Sequence, residues 1–193
     1  MQFYYDDDST PVNADEIHNL IPLHIQTQAE LNMWEQNNIS FAERKLFKGK
    51  KNIELSGDFI KKVHKIMFNN TWKWAGKFRT INTNIGIDWI KIPQELKVLC
   101  DDVEFQKKNN SFDLEEIAIR FSHRLVYIHP FVNGNGRCSR LITDLLMFKA
   151  GFPRFSWGSK NLTAISEVRS SYIQALQEAD KHNIEPLINF ARS

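Results

Sequence analysis

Between positions 129 and 140 the chain reads HPFVNGNGRCSR, and this short run holds most of the residues able to do chemistry. His129 can serve as a general base near neutral pH. Pro130 fixes the backbone that follows it, and Phe131 can anchor the loop in a core. Gly134, Asn135 and Gly136 can adopt positive φ angles and turn backbone N–H groups inward, a nest suited to an anion at the start of the next helix. Arg137 and Arg140 add guanidinium forks that match phosphate oxygens. Asn133 offers a carbonyl oxygen within reach of a phosphate-bound Mg²⁺. A base, a nest and two cations together fit a reaction in which a hydroxyl attacks a bound polyphosphate.

Each feature has a plainer explanation. A lone Gly-x-Gly turn is usually structural, and a lone histidine at a helix end is more often a cap or a packed residue than a catalyst. The arginines are harder to dismiss. Cations at a helix N-terminus oppose the helix dipole unless an anion joins them.

The elements that must position this loop are mostly helical. From Gln28 to Phe47 there is no Gly or Pro, and Leu31, Trp34, Ile39, Phe41, Ala42 and Leu46 predict one long helix or two short ones. Phe59, Val63, Ile66 and Met67 share a face of the next helix, with Ser56 or Asp58 as its cap. Residues 75–93, AGKFRTINTNIGIDWIKIP, change character: β-branched and aromatic residues cluster around Asn84–Gly86 and predict a β-hairpin or two short strands. Helical spacing returns over 93–109. In the following helix Asp113 and Glu116 fit a capping box, Ile117, Phe121, Leu125 and Ile128 form a buried stripe, and Pro130 stops it. An apolar helix follows the 129–140 loop, closed by Gly151 and Pro153. A further helix over 163–183 and a short one over 184–193 end the chain.

The chain has 193 residues, 42% hydrophobic and 25% charged, which fits one ordinary domain and neither a disordered chain nor a membrane protein. The formal net charge of +2 gives no general pull toward nucleic acid, so no direct nucleic-acid binding is expected and any anion site is local. Cys100 and Cys138 form no CxxC pair and no metal cluster. No stretch approaches the roughly 18 apolar residues of a membrane span. The acidic start, MQFYYDDDST, lacks the features of a signal peptide, and a cytoplasmic setting is expected. Residues 1–20 read as a polar segment and residues 21–193 as a single domain, with an N-terminal helical extension over about 21–50.

HPFVNGNGRCSR resembles the signature of the Fic domain family: His-x-Phe, any residue, an acidic residue, Gly-Asn-Gly-Arg, two residues, Arg. It matches at His129, Phe131, Gly134, Asn135, Gly136, Arg137 and Arg140, and Pro130 also fits. WAGKFRTINTNIG (74–86) resembles the lead-in and flap of Fic domains, and VRSSYIQALQEAD (168–180) their helix after the core. LIPLHIQTQAELNMWEQNNI (20–39) resembles a subgroup called mobile mystery protein B.

The resemblance implies a compact, mostly α domain with a β-hairpin flap beside the active-site loop. It also implies transfer of AMP from ATP, with Mg²⁺, to a Ser, Thr or Tyr hydroxyl of a target protein. His129 would be the general base. Gly134, Asn135, Gly136 and Arg137 would hold the phosphates, and Arg140 the terminal one. The flap, with Thr83, Asn84, Ile85, Gly86 and Ile87, would hold the target backbone by strand addition. Tyr172 is a candidate for the nucleobase side, and a half-buried helix tyrosine is an equal reading of it. Asn133 departs from the pattern: a neutral oxygen stands where the family's metal-binding carboxylate does, weakening attraction to the ion. Glu35 resembles, imperfectly, the glutamate of an inhibitory helix that pairs with the second arginine, here Arg140; one solvated helix glutamate among several is the plainer reading. The subgroup implies a neighbour-encoded DNA-binding partner. Two alternatives stand beside AMP transfer: a different phosphoryl or nucleotidyl transfer on the same fold, and a nucleotide- or partner-binding protein with little turnover.

Overall fold

The computed structural model describes residues 18–25, 27–48, 53–158 and 167–193. Among these, seven α-helices account for the regular structure: α1 (Gln28–Leu46), α2 (Gly57–Phe68), α3 (Ile92–Asn109), α4 (Leu114–Ile128), α5 (Asn135–Lys149), α6 (Glu167–Asp180) and α7 (Glu185–Arg192). Of the polar segment 1–20, residues 1–17 lie outside the described residues.

Local chemistry explains most boundaries. α1 is one helix, started by a complete capping box in which Thr27 and Glu30 exchange side-chain and backbone bonds. Ser56, not Asp58, caps α2. Asp113 caps α4 through the Glu116 N–H at 2.7 Å, but the Glu116 side chain turns to Arg120 instead, so only half of the expected box forms. Pro93 opens the first turn of α3, where its missing N–H costs nothing.

α4 and α5 pack against each other at the centre and are buried on both sides. On one side Ile117, Phe121, Leu125 and Ile128 of α4 join Leu141 and Ile142 of α5 in the larger apolar core, with α1, α2 and α3 against them. This is the stripe the spacing predicts. On the other side Ala118, Ile119 and Met147 meet Phe155, Trp157, Tyr172 and Leu187 in a second cluster, closed by α6 and α7. The turn between α4 and α5 is therefore held at both ends by the most buried helices of the fold.

The predicted β-hairpin flap does not form. Among the described residues there is no strand, only an isolated antiparallel bridge between Leu20 and Trp72, and residues 77–88 run as bends into a short 3₁₀ turn at Trp89–Lys91. The reason lies in who takes the backbone groups. The Arg79 side chain donates to the carbonyls of Ile81 and Ile87, Thr83 donates to the Ile85 carbonyl, and Asn82 accepts from the Trp89 N–H. Side chains satisfy groups that a cross-strand ladder would have used. β-propensity was present; the ladder's partners were not.

Candidate active site

His129 ends α4 in the left-handed region, φ 53° and ψ 60°, its N–H bonded to the Leu125 carbonyl at 3.2 Å. The helix thus stops one residue before Pro130, and the strained histidine is set at the helix mouth. Its side chain is buried at 7% exposure, and Nδ1 has no hydrogen-bond partner among the described residues. Burial pushes the imidazole down to about 4; the nearby Val126 carbonyl opposes this and the Arg79 charge adds to it. At neutral pH the ring is uncharged, as a base must be.

The turn to α5 is closed on itself. Asn135 accepts from the Phe131 N–H at 2.9 Å and donates to the Phe131 carbonyl at 2.8 Å, clamping the loop with both ends of one carboxamide. Its side chain is thus a brace, and only its backbone faces the helix start. Of the two signature glycines, only Gly134 has positive φ, 77°, as N-cap of α5. A Cβ there would lie 2.7 Å from the Phe68 ring. Gly136 is already helical. No side chain caps α5, in contrast to α1, α2 and α4; α3 and α7 are also uncapped but carry Pro in the first turn, whereas the first N–H groups of α5 are open to an outside acceptor.

The two arginines differ. Arg137 lies 4.9 Å above the Phe68 ring and pairs with Glu35 at 2.5 Å. Glu35 is buried on α1, and its other oxygen accepts from the Trp72 indole N–H at 2.7 Å. The expected partner of Glu35 was Arg140; the carboxylate reaches the first arginine instead. One turn on, Arg140 stacks 5.1 Å from the Tyr172 ring and makes no ion pair among the described residues. Tyr172, the nucleobase candidate, is buried between Trp157 and Phe190, and its hydroxyl has no partner among the described residues. Its ring therefore serves Arg140 and the core, and no face is open for a base in this state.

Asn133 uses its side-chain oxygen within the loop, accepting from the Gly134 N–H at 2.6 Å. Among the described residues no group of three or more His, Cys, Asp or Glu could hold a metal ion. The described residues by themselves build no cation cage of this kind, so a magnesium ion there would depend on oxygens of a nucleotide, with Asn133 as a single neutral ligand.

Two residues that the sequence did not single out brace the site. His64 is fully buried on α2 and stacks 3.7 Å from the Phe131 ring. The Gly76 N–H donates to His64 Nδ1 at 2.9 Å, so Nε2 carries the proton and donates to the Asn133 carbonyl at 3.0 Å. Burial lowers its pKa to about 3, with the Arg137 charge contributing and the Asn133 carbonyl opposing. Arg79, 2% exposed, fastens residues 81–88 to the end of α4. The signal for His64 was present: a polar residue beside Val63 on the apolar face of α2. Arg79 gave none, since its acceptors are backbone carbonyls. Thr83, Asn84, Ile85, Gly86 and Ile87 lie in the loop that Arg79 holds, and Gly86 sits against His129.

Residues 54–147 match the family described as Fic/DOC. The chain is 29% identical over 145 residues to protein adenylyltransferase fic-1 of Caenorhabditis briggsae, across 73% of this chain and 27% of that protein. It is 31% identical over 119 residues to protein adenylyltransferase Fic of Drosophila mojavensis, across 60% of this chain and 22% of that protein. The chain thus spans about a quarter of the length of these curated relatives. Among solved structures, the N-terminal Fic domain of a Bartonella quintana cell filamentation protein superposes with a TM-score of 0.69 at 20% identity, covering 98% of this chain and 89% of that one. BepC of Bartonella tribocorum, solved with bound AMPPNP, gives a TM-score of 0.66 at 18% identity and 87% coverage of both chains. Glu35 and Tyr172 fall outside the family match, and His64, Arg79 and the whole 129–140 loop fall inside it. Residues 54–147, from α2 through most of α5, are a Fic/DOC family domain.

Proposed function

We propose that the protein transfers AMP from ATP to a Ser, Thr or Tyr hydroxyl of a target protein. The observation that carries this reading is the pairing, across one five-residue turn, of an uncharged buried histidine with a helix N-terminus that no side chain caps. The triphosphate would lie on the first N–H groups of α5, with Arg137 at a β- or γ-phosphate oxygen and Arg140 at the terminal phosphate. His129 would take the proton of the target hydroxyl as its oxygen bonds to the α-phosphorus. The bond from that phosphorus to the β-phosphate oxygen breaks, and pyrophosphate leaves. Residues 83–87 would receive the target beside His129. Magnesium, when bound, supplies charge neutralisation of the phosphates.

The Glu35–Arg137 pair supports a resting state of low turnover. A carboxylate occupies the guanidinium that a phosphate would need, so nucleotide binding must displace it. Glu35 is thus proposed as inhibitory, acting on Arg137. The finer assignment to the mobile mystery protein B subgroup rests on residues 20–39 alone. Incubation with ATP labelled at the α- or the γ-phosphate, with Mg²⁺ and cell lysate, tests the reading. Protein-bound label from the α-phosphate alone is the expected result. Label from the γ-phosphate alone means phosphorylation, and no label from either means a binding protein.

A further inference from the structure

We propose that Arg79 is a positioning residue that fastens the 81–88 loop and the His129 end of α4 into one unit, so that target and base are held in a fixed register. The proposal rests on the reading of His129 as base and of residues 83–87 as the target's seat.

The side chain is buried, yet the bonds it makes are all to backbone carbonyls. Nε donates to the His129 carbonyl at 2.7 Å, and Nη2 approaches the Ile128 carbonyl at 3.4 Å. Nη1 donates to the Ile81 carbonyl at 2.8 Å, and Nη2 also donates to the Ile87 carbonyl. Its own backbone N–H reaches the Pro130 carbonyl at 2.9 Å. One guanidinium thus holds both ends of the 81–88 loop and two carbonyls at the end of α4. Those carbonyls carry the negative end of the helix dipole, where a cation is favourable. The five-donor planar fork is what the arrangement requires. A lysine has the charge but a single point of donation, and an apolar residue would fill the space and leave the carbonyls of His129, Ile81 and Ile87 without this donor, while that of Ile128 keeps the Ile87 N–H.

A second observation makes the unit mechanical. Gly86 has φ 98°, and a Cβ placed there would lie 2.5 Å from His129 Cβ, 3.0 Å from Arg79 Nη2 and 3.2 Å from the Ile128 carbonyl oxygen. The loop touches the catalytic candidate at backbone distance, so it cannot shift toward α4 without moving His129. The histidine's left-handed backbone is itself a strained conformation that persists because its surroundings hold it. Arg79 and Gly86 supply that hold from two sides. Since a misplacement of about 1 Å can cost on the order of 10²-fold in rate, the clamp bears on chemistry as well as folding.

Two variants test this. Arg79→Lys keeps the charge and loses the fork; Gly86→Ala keeps the fork and forces the contact with His129 apart, with a lesser push on Arg79 Nη2. Backbone amide hydrogen exchange is followed at residues 81–88, at Ile128 and His129 within 128–130 (Pro130 has no amide hydrogen) and, as a reference, at 138–146 of α5. Affinity for a non-hydrolysable ATP analogue is measured by calorimetry, and kcat and KM for transfer are measured where wild type is active. The expected result is exchange at least tenfold faster at both 81–88 and 128–130 in each variant, with α5 unchanged. Analogue affinity stays within about twofold and kcat falls at least tenfold. Three results overturn the proposal: Gly86→Ala disturbing its own loop but not 128–130, Arg79→Lys speeding exchange equally throughout the chain, or both loops loosening with kcat unchanged. If wild type itself transfers nothing, the transferase reading fails, and the two exchange patterns still decide whether Arg79 makes one unit of the loops.

Discussion

Two loops meet at His129, and they are built on opposite principles. The 129–140 loop is organised largely by its own residues: Asn135 clamps Phe131, Gly134 makes the turn, and α4 and α5 grip the ends, with His64 of α2 bracing it from outside. The 81–88 loop is organised from outside its own span, by Arg79, with local help from Asn82 and Thr83. A loop that carries its own constraints presents chemistry at fixed positions. A loop tied chiefly by one flanking side chain, with a backbone bond from the Ile87 N–H to the Ile128 carbonyl beside it, is held in place but has little intrinsic shape. The first is suited to binding an invariant ligand, the second to accepting varied targets. Mutations that separate these two roles break or sharpen the contrast.

The largest effect is expected from His129→Ala. It removes the base from the self-organised loop while leaving Asn135, Gly134 and the α5 N-terminus as they are. Transfer should fall by about 10²–10⁴-fold, the scale of a general base. Binding of an ATP analogue should persist. Wild-type transfer by this variant would end the assignment of His129 as base.

Acid should come next. The folded pKa of His129, about 4, lies below its ordinary 6.5, and that of His64 is about 3. Between pH 6.5 and these values the unfolded chain takes up protons that the folded chain refuses. Stability is therefore intact above pH 6.5 and falls as pH drops toward 4 and then 3, by an amount on the order of several kcal/mol for the two histidines together. Over the same range His129 stays neutral, so the transfer rate should hold from pH 7 to about 5. Denaturant midpoints and a pH–rate profile on one protein sample check both halves. An acid limb centred near 6.5 would mean that His129 titrates as an exposed imidazole.

Glu35→Gln tests whether the self-organised loop is also restrained from outside. The amide can keep the Trp72 bond and the shape while giving up the charge that holds Arg137. A hydrogen bond to a charged group contributes about 1.5–3 kcal/mol, so ATP affinity should rise roughly tenfold. AMP affinity should rise less, because the proposed partner of Arg137 is a β- or γ-phosphate. Equal gains for both nucleotides would place Arg137 elsewhere, and no gain with unchanged thermal stability would remove Glu35 from regulation.

The same contrast explains what was legible in the sequence. The helices, the buried stripe of α4 and the position of His129 at a helix end follow from periodicity, caps and Pro130, all local signals. The brace formed by the Asn135 side chain was not legible, because a side-chain clamp and a backbone phosphate site look identical as one letter in a motif. The hairpin was misread for a related reason. Thr80, Ile81, Ile85 and Ile87 have strand propensity, but propensity does not say which donors reach their carbonyls, and Arg79 reaches two of them in this stretch. The partner of Glu35 was missed by one helical turn. Arg137 and Arg140 are three residues apart on α5, and which of them meets α1 depends on how α1 packs on α2, a tertiary fact. His64 was visible as a polar residue on an apolar face, but its acceptor, Asn133, lies 69 positions away.

The smallest effect is expected at Asn133, where the self-organised loop departs from the family pattern. Its side-chain oxygen accepts from the Gly134 N–H at 2.6 Å, and its carbonyl accepts from His64. An aspartate can keep the first bond with one oxygen and offer a second, charged oxygen outward, without changing volume or the backbone contact to His64. Coulomb attraction to a phosphate-bound divalent ion then rises, damped by the solvent that reaches a half-buried position. Asn133→Asp should therefore lower the Mg²⁺ midpoint of transfer by a few fold and leave the maximal rate at saturating metal nearly unchanged, because it adds metal affinity and no new group at the reacting phosphorus. A magnesium titration of the variant and the wild type reads the effect. An unchanged midpoint would show that position 133 does not touch the metal.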